Sequence, residues 1–344
     1  MTRRMLRVAG VALAVAFTVL VGRPSGQAPA ARRAALTKPS AYPTPRTPWG
    51  DPDIQGTWSN GTITPLERPR GAGEKELLSK EEEEEANQQS DNRATADQRP
   101  KDRAADVELA YDQFWWDRGK SIGRTSLIVD PADGRLPPLS AQGQKLQDER
   151  AAARQTRGAF DSYIDRPLQE RCIMYHGVPP LPTGYNNNYE ITQAPGVVAI
   201  LHEEIHEVRI IPLDGRPHAS PSIRQWLGDS RGRWDGDTLI VETTNFRPDS
   251  GFRFPVDAAT LKVIERFRRV AKDAIDYQFT VENPSLYSRP FTAVLPMRPA
   301  DGLIYEYACH EGNHAIVYVL QGHRYEEKQA EEAAKKGAAP ATPR

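Results

Sequence analysis

The sequence predicts a mainly β, antiparallel fold, and three observations carry that expectation. From residue 189 onwards, short β-branched-rich runs recur with turn chemistry between them and few helical stretches intervening. Arg233-Trp-Asp-Gly-Asp237 and Pro299-Ala-Asp-Gly302 place Asp-Gly hairpin signals between such runs. With 29 Pro and 25 Gly, the chain is as turn-rich as many short strands require. A meander of this length is expected to close into a barrel, because closure removes the open edges.

The N-terminus reads as an export signal over residues 1–28. Arg3, Arg4 and Arg7 form a charged head, Val8 to Val21 an apolar run, and Gly26-Gln-Ala28 a small-residue cleavage site. The apolar run is short for a membrane span and no cysteine follows it, so no stable membrane anchor is expected. Paired arginines partly match a twin-arginine signal, but ordinary secretory signals carry them too, and the general route is preferred. The mature protein is expected to be periplasmic or secreted. Over the full chain, 45 basic residues against 46 acidic remove any case for nucleic-acid binding by charge.

Residues 29–48 form a Pro/Ala/Arg-rich linker, and a single β-rich domain is expected over 49–325 with a disordered tail at 326–344. Gly56-Thr-Trp58 opens the first strand, with Trp58 covering one end of the core. A charged insertion, 74–105, contains the run Glu81 to Glu85 and reads as a solvated helix followed by coil. Leu109, Tyr111, Phe114 and Trp115 then form an apolar cluster that must cover something. The stretch Arg124 to Leu139 gives a short strand, an Asp-Gly turn and a Pro-rich extension. A helix follows from about Ser140 to Arg157, with Ser140 as N-cap. Gly184-Tyr-Asn-Asn-Asn-Tyr189 alternates amides with Tyr185 and Tyr189, a mix that suits either a surface loop or a polar ligand.

Strands are expected at 189–193, 197–203, 205–211, 231–234, 238–244, 261–270, 274–282, 291–297, 303–309 and 314–320. The central stretch, Val197 to Ile211, contains His202-Glu203-Glu204-Ile205-His206, literally the H-E-x-x-H of zinc proteases. The chemistry of that motif needs a helix, where the two histidines lie one turn apart. Val197, Val198, Ile200, Ile205, Val208, Ile210 and Ile211 favour a strand, and Pro195-Gly196 and Pro212-Leu-Asp-Gly215 bracket it with turns. Residues four apart on a strand are separated by ~13 Å, too far to share a zinc ion. The strand reading puts His202, Glu204 and His206 on one face with Val208 and Ile210.

Three longer motifs carry a resemblance: Ile210-Ile-Pro-Leu-Asp-Gly-Arg-Pro-His218, Trp226-Leu-Gly-Asp-Ser-Arg-Gly-Arg-Trp-Asp-Gly-Asp-Thr-Leu239 and Tyr307-Ala-Cys-His-Glu-Gly-Asn313. They resemble a large, paralogue-rich family of exported proteins from soil bacteria, Acidobacteria especially. The resemblance covers most of the chain from Trp49 to about Gln321, implies export and one common fold, and carries no activity with it. The G-x-W of Gly56 to Trp58 and the meander together resemble lipocalin-like barrels.

Two functional readings follow. One is a non-enzymatic or weakly catalytic lipocalin-like module binding a small organic ligand, its pocket drawn from Trp58, Tyr185, Tyr189, Trp226, Arg233, Trp234 and the face of His202, Glu204 and His206. The other is a metal-dependent hydrolase or lyase acting on an extracellular substrate. In it a divalent ion such as zinc sits on His202 or His206 together with His310 or His314, and Glu204 or Glu311 takes the proton of a bound water. The opposing structural reading pairs Glu203, Glu204 and Glu207 with Arg209, Arg216 or Arg233. Cys172 and Cys309 read as a single disulfide in an oxidising compartment, against the alternative of a Cys309–His310 thiol pair. No G-x-S-x-G, P-loop or dinucleotide fingerprint is present.

Overall fold

Eleven strands pair into two antiparallel sheets in the computed structural model, which describes residues 42–94 and 116–337. The first sheet takes β1 (Gly56–Ser59), β3 (Asn188–Ala194), β4 (Val197–His202), β5 (Val208–Pro212) and β11 (Arg298–Pro299). Their order is β11-β1-β3-β4-β5. The second takes β2 (Ile128–Asp130), β6 (Asp229–Asp235), β7 (Thr238–Thr244), β8 (Lys262–Ala271), β9 (Ala274–Glu282) and β10 (Phe291–Val294), in the order β2-β10-β9-β8-β7-β6. Every named pairing is antiparallel, and the consecutive pairs β3–β4, β4–β5, β6–β7, β7–β8 and β8–β9 are the expected meander. Among the described residues the ladders form two sheets rather than one ring.

The core lies between the sheets because the strands alternate. In β8, Val263, Glu265 and Phe267 point inward while Lys262, Ile264 and Arg266 do not. Ile275, Tyr277, Phe279 and Val281 of β9 meet them, and Trp58, Ile191, Val198 and Ile200 close the layer from the first sheet. Trp58 is 3% exposed and donates its indole N–H to the Ile54 carbonyl at 3.1 Å. One charged pair crosses this core. Arg209 of β5 forks onto Glu265 of β8 at 2.5 and 3.0 Å, and Tyr277 donates its hydroxyl to the same carboxylate at 2.9 Å. Arg209 therefore pairs with Glu265, and Arg216 pairs with Asp214, rather than either serving Glu203, Glu204 or Glu207.

Helix α1 (Lys80–Ala94) is the solvated helix of the charged insertion, and α2 (Ala141–Gln155) is capped by Ser140, whose hydroxyl accepts from Gly143 N at 2.9 Å. Gly143 is required: a Cβ there would lie 2.2 Å from the Leu286 carbonyl oxygen. The signal, most of the linker, residues 95–105 of the insertion and the cluster at Leu109, Tyr111, Phe114 and Trp115 lie outside the described residues.

Two expected strands are absent. Residues 303–309 run without sheet pairing, leaving Leu303 and Tyr305 more than three-quarters exposed or nearly so. Residues 314–320 begin α3 (Ala315–Lys335), which continues through ten residues expected to be tail. The β-branched Ile316, Val317 and Val319 argued for a strand. The Glu, Lys, Gln and Ala content of 326–335 extends a helical preference back over them.

Candidate functional site

The chain turns between β4 and β5, and this turn decides what the central histidines do. Glu204–His206 forms a single 3-10 turn with Ile205 at φ 57°, ψ 20°. A buried, β-branched residue in the left-handed region is strained, and the cost is of order 1–3 kcal/mol. His202 N still donates to the Glu207 carbonyl at 2.8 Å, and Glu203 N to the Asn188 carbonyl at 3.0 Å. The turn breaks the strand alternation: Val208 and Ile210 are about half exposed, while His202 and Glu204 are wholly buried. The expected common face of His202, Glu204, Val208 and Ile210 does not exist. The H-E-x-x-H letters lie neither on a helix nor on a continuous strand.

The turn packs against the segment Gln169 to Leu181, which supplies a histidine that sequence reasoning passed over. His176 is 3% exposed, with its ring centroid 5.8 Å from that of His202 and 5.7 Å from that of Tyr189. Its Nδ1 lies 3.4 Å from the Leu181 carbonyl and 3.2 Å from Tyr189 Oη, so Nδ1–H toward the carbonyl is the inferred tautomer. Tyr189 Oη also accepts from Asn60 Nδ2 at 3.3 Å. Burial, reinforced by neighbouring His202, lowers the His176 pKa to about 4, so the ring is neutral at ordinary pH.

Two glutamates from one turn are held in opposite states. Glu207 is lowered. Burial works against this, but His202 beside it and the backbone N–H of Tyr175 prevail. His202 Nδ1 approaches Glu207 Oε2 to 3.1 Å, outside ideal alignment, and Tyr175 N and Gly177 N donate to the two carboxylate oxygens. Glu204 is raised to about 7, chiefly by burial, against the opposing hydrogen bonds from Gln169 and Tyr307. Its Oε1 accepts from Gln169 Nε2 at 3.0 Å and Tyr307 Oη at 3.2 Å. Its Oε2 has no hydrogen-bond partner and lies 3.7 Å from His176 Nε2, itself unpartnered, as is His202 Nε2. Such buried polar atoms in a cluster mark a place where polar chemistry is expected.

Two clefts flank this cluster and share Gln169. The larger, about 710 Å³, is lined by Gln169, Arg171, Met174, Tyr175, Phe252 and Arg253 among others. The second, about 550 Å³, is lined by Gln169, Tyr307, Cys309, Glu311 and Asn313 among others. Cys172 and Cys309 form a disulfide, and Asn313 Nδ2 donates to the Glu170 carbonyl at 3.1 Å. These two ties hold the otherwise unpaired segment carrying Tyr307 against the body.

The expected metal donors do not assemble. His202 is buried at the end of β4, whereas His310, Glu311 and His314 are exposed in the turn before α3. His206 lies in the 3-10 turn. Among the described residues no group of three or more His, Cys, Asp or Glu side chains is arranged to hold a metal ion. The expected ligand pocket is likewise dispersed. Trp58 and Tyr189 belong to the core, and Tyr185 stands edge-on to Trp116 at 6.0 Å. Trp226, under the Arg247 guanidinium at 4.2 Å, lines a separate cleft of about 500 Å³. Arg233 is exposed on β6, and the adjacent Trp234 packs half-buried on the core. The Asn run is partly structural, since Asn187 accepts from Thr183 N at 2.7 Å and donates to the Asp117 carbonyl at 2.9 Å. No family model, no curated protein and no solved structure matches the chain.

Proposed function

We propose that this is an exported acid–base catalyst of the hydrolase or lyase type. It takes a small organic molecule into the clefts at Gln169 and moves a proton through Glu204. The observation that carries the reading is Glu204 itself: a wholly buried carboxyl, raised to about 7, with one oxygen clamped and the other unpartnered. A carboxyl that titrates near working pH both gives and takes protons effectively, and burial is how such acids are made. Tyr307 Oη joins the second cleft to Glu204. As a base, Glu204 receives the Tyr307 proton while the phenol oxygen receives one from the substrate; as an acid the sequence reverses. Neutral His176 accepts no proton near pH 7, so it leaves the Glu204 proton in place.

Export is part of this reading, and the Cys172–Cys309 disulfide supports it, because such bonds persist in oxidising compartments. A lipocalin-like barrel is the finer reading of the fold. The chain after β10 keeps pairing with β9 through Leu295 and Met297 before entering β11 of the other sheet. At the opposite side Gly232 of β6 leaves room for Ile211 and Leu213.

The experiment is turnover of a panel of small esters, lactones and hydroxy acids by wild type, Glu204→Gln and Tyr307→Phe, followed by chromatography. Wild type is expected to turn over a member with a pH inflection near 7, Glu204→Gln to lose ~100-fold or more, and Tyr307→Phe ~10-fold. Glu204→Gln matching wild type refutes the role of Glu204.

A further inference from the structure

The larger cleft carries charge that the proton-transfer reading does not use. Arg171 and Arg253 both line it, and among the described residues neither closes an ion pair with a carboxylate. The other charges at the cleft sit in ion pairs, although Asp165 keeps one buried oxygen without a hydrogen-bond partner. Arg166 forks onto Glu170 with two bonds of 2.8 Å, Asp249 receives Arg247 at 2.9 and 3.0 Å, and Asp165 receives Arg157. Neither guanidinium forms a close salt bridge, and both face aromatic rings: Arg253 lies 5.3 Å from the Tyr175 centroid and hydrogen-bonds that side chain, and Arg171 lies 5.7 Å from the centroid of Tyr163, with Asp249 feeling its charge. A guanidinium resting on a ring keeps its edge N–H donors available and sheds part of its hydration, so a planar anion is bound with both charge and geometry in its favour. Leu168, Met174 and Phe252 give the wall an apolar part, beside the polar Gln169. Tyr175 then ties this cleft to the buried cluster, because its backbone N–H donates to Glu207 and its ring meets His176 edge-on at 5.2 Å.

We propose that the cleft between Arg171 and Arg253 binds the carboxylate of a small organic acid whose body is apolar. This deepens the proton-transfer reading by giving the substrate class of the same site, and it rests on that reading only for what happens after binding. The anion occupies the arginine edges, the apolar body lies against Met174 and Phe252, and the far end of the molecule reaches Gln169, the residue both clefts share.

The test is calorimetric titration with benzoate, hexanoate and the uncharged isostere benzamide, using wild type, Arg171→Ala, Arg253→Ala, Arg253→Lys and the Arg171→Ala/Arg253→Ala double variant. At least one of the two acids is expected to bind saturably and benzamide more weakly by ten-fold or more. Each single alanine variant is expected to lose about ten-fold in affinity, the double variant all measurable binding, and Arg253→Lys to recover only part. Circular dichroism of each variant confirms that exposed or half-buried arginines were removed without unfolding. Equal binding of benzoate and benzamide, undiminished binding in the double variant, or no binding of either acid up to ~10 mM overturns the proposal. Turnover by Glu204→Gln reads the other question separately. Acid binding that depends on the arginines, with turnover that ignores Glu204, upholds the anion site and removes the proton-transfer reading.

Discussion

Replacing Glu204 by Gln changes how stability depends on pH, and the sign follows from two buried groups that oppose each other. The Glu204 carboxyl is raised from 4.5 to about 7, so the folded chain holds a proton that the unfolded chain has already lost. Its contribution is therefore favourable at acid pH, declines as pH rises from 4.5 towards 7, and remains unfavourable above that. At 1.36 kcal/mol for each pH unit, the full effect is about 3 kcal/mol. His176 runs the other way. Lowered from 6.5 to about 4, it contributes stability that is fully present above 6.5 and lost as pH falls towards 4, again by about 3 kcal/mol. In the wild type the two slopes nearly cancel between pH 4.5 and 6.5. The Gln side chain keeps an oxygen to accept from Gln169 and Tyr307 and carries no charge, so it deletes only the Glu204 slope. Urea unfolding of both proteins, with the disulfide intact and circular dichroism as the signal, is expected to show Glu204→Gln more stable at pH 8 by about 2–3 kcal/mol. That advantage should shrink below about 1 kcal/mol at pH 5, because the variant loses stability steadily as pH falls below 6.5 along the uncovered His176 slope while wild type stays nearly level to about pH 4.5. An equal advantage at both pH values, or none at pH 8, refutes the account of Glu204 as a buried, near-neutral acid.

Three further outcomes are expected. Reducing the disulfide, or replacing Cys309 by Ser, opens a loop with a sequence separation of 137 residues, which the chain-entropy account values at about 5 kcal/mol. A fall in urea midpoint with loss of the near-ultraviolet tyrosine signal checks this, and an unchanged midpoint contradicts it. Arg209→Ala leaves Glu265 buried without its cation and should cost about 3–5 kcal/mol, whereas Arg209→Met with Glu265→Leu should recover much of it. Paired denaturation curves decide, and a double variant as unstable as the single would show the pair to be irreplaceable. Gly119→Ala drives a Cβ to 2.1 Å from the Gly61 carbonyl oxygen at φ +62°, so a loss of more than about 2 kcal/mol is expected in the same assay.

Period and turn chemistry determined most of the architecture directly. β7 at Thr238–Thr244 and β9 at Ala274–Glu282 lie where alternation and Asp-Gly turns put them, because a strand half-buried on a core must alternate. The Ser140 cap and the solvated helix near Glu81 were equally local, resting on one hydroxyl and one charge run. The site was not local. His202 and Glu204 were conspicuous as letters, but their partners are His176, Gln169 and Tyr307, which lie 26, 35 and 103 residues away from His202, Glu204 and Glu204 respectively. No period links such positions, and nothing in Tyr175-His-Gly177 distinguishes His176 from an ordinary loop histidine. The two glutamates of one turn share nearly the same neighbours in sequence. Only the folded chain, by giving buried Glu207 the donors and the histidine that outweigh its burial and leaving burial dominant at Glu204, lowers one carboxyl and raises the other. Hydrophobic alternation is written along the chain, whereas the field at a carboxyl is the sum over whatever tertiary structure brings within a few ångströms.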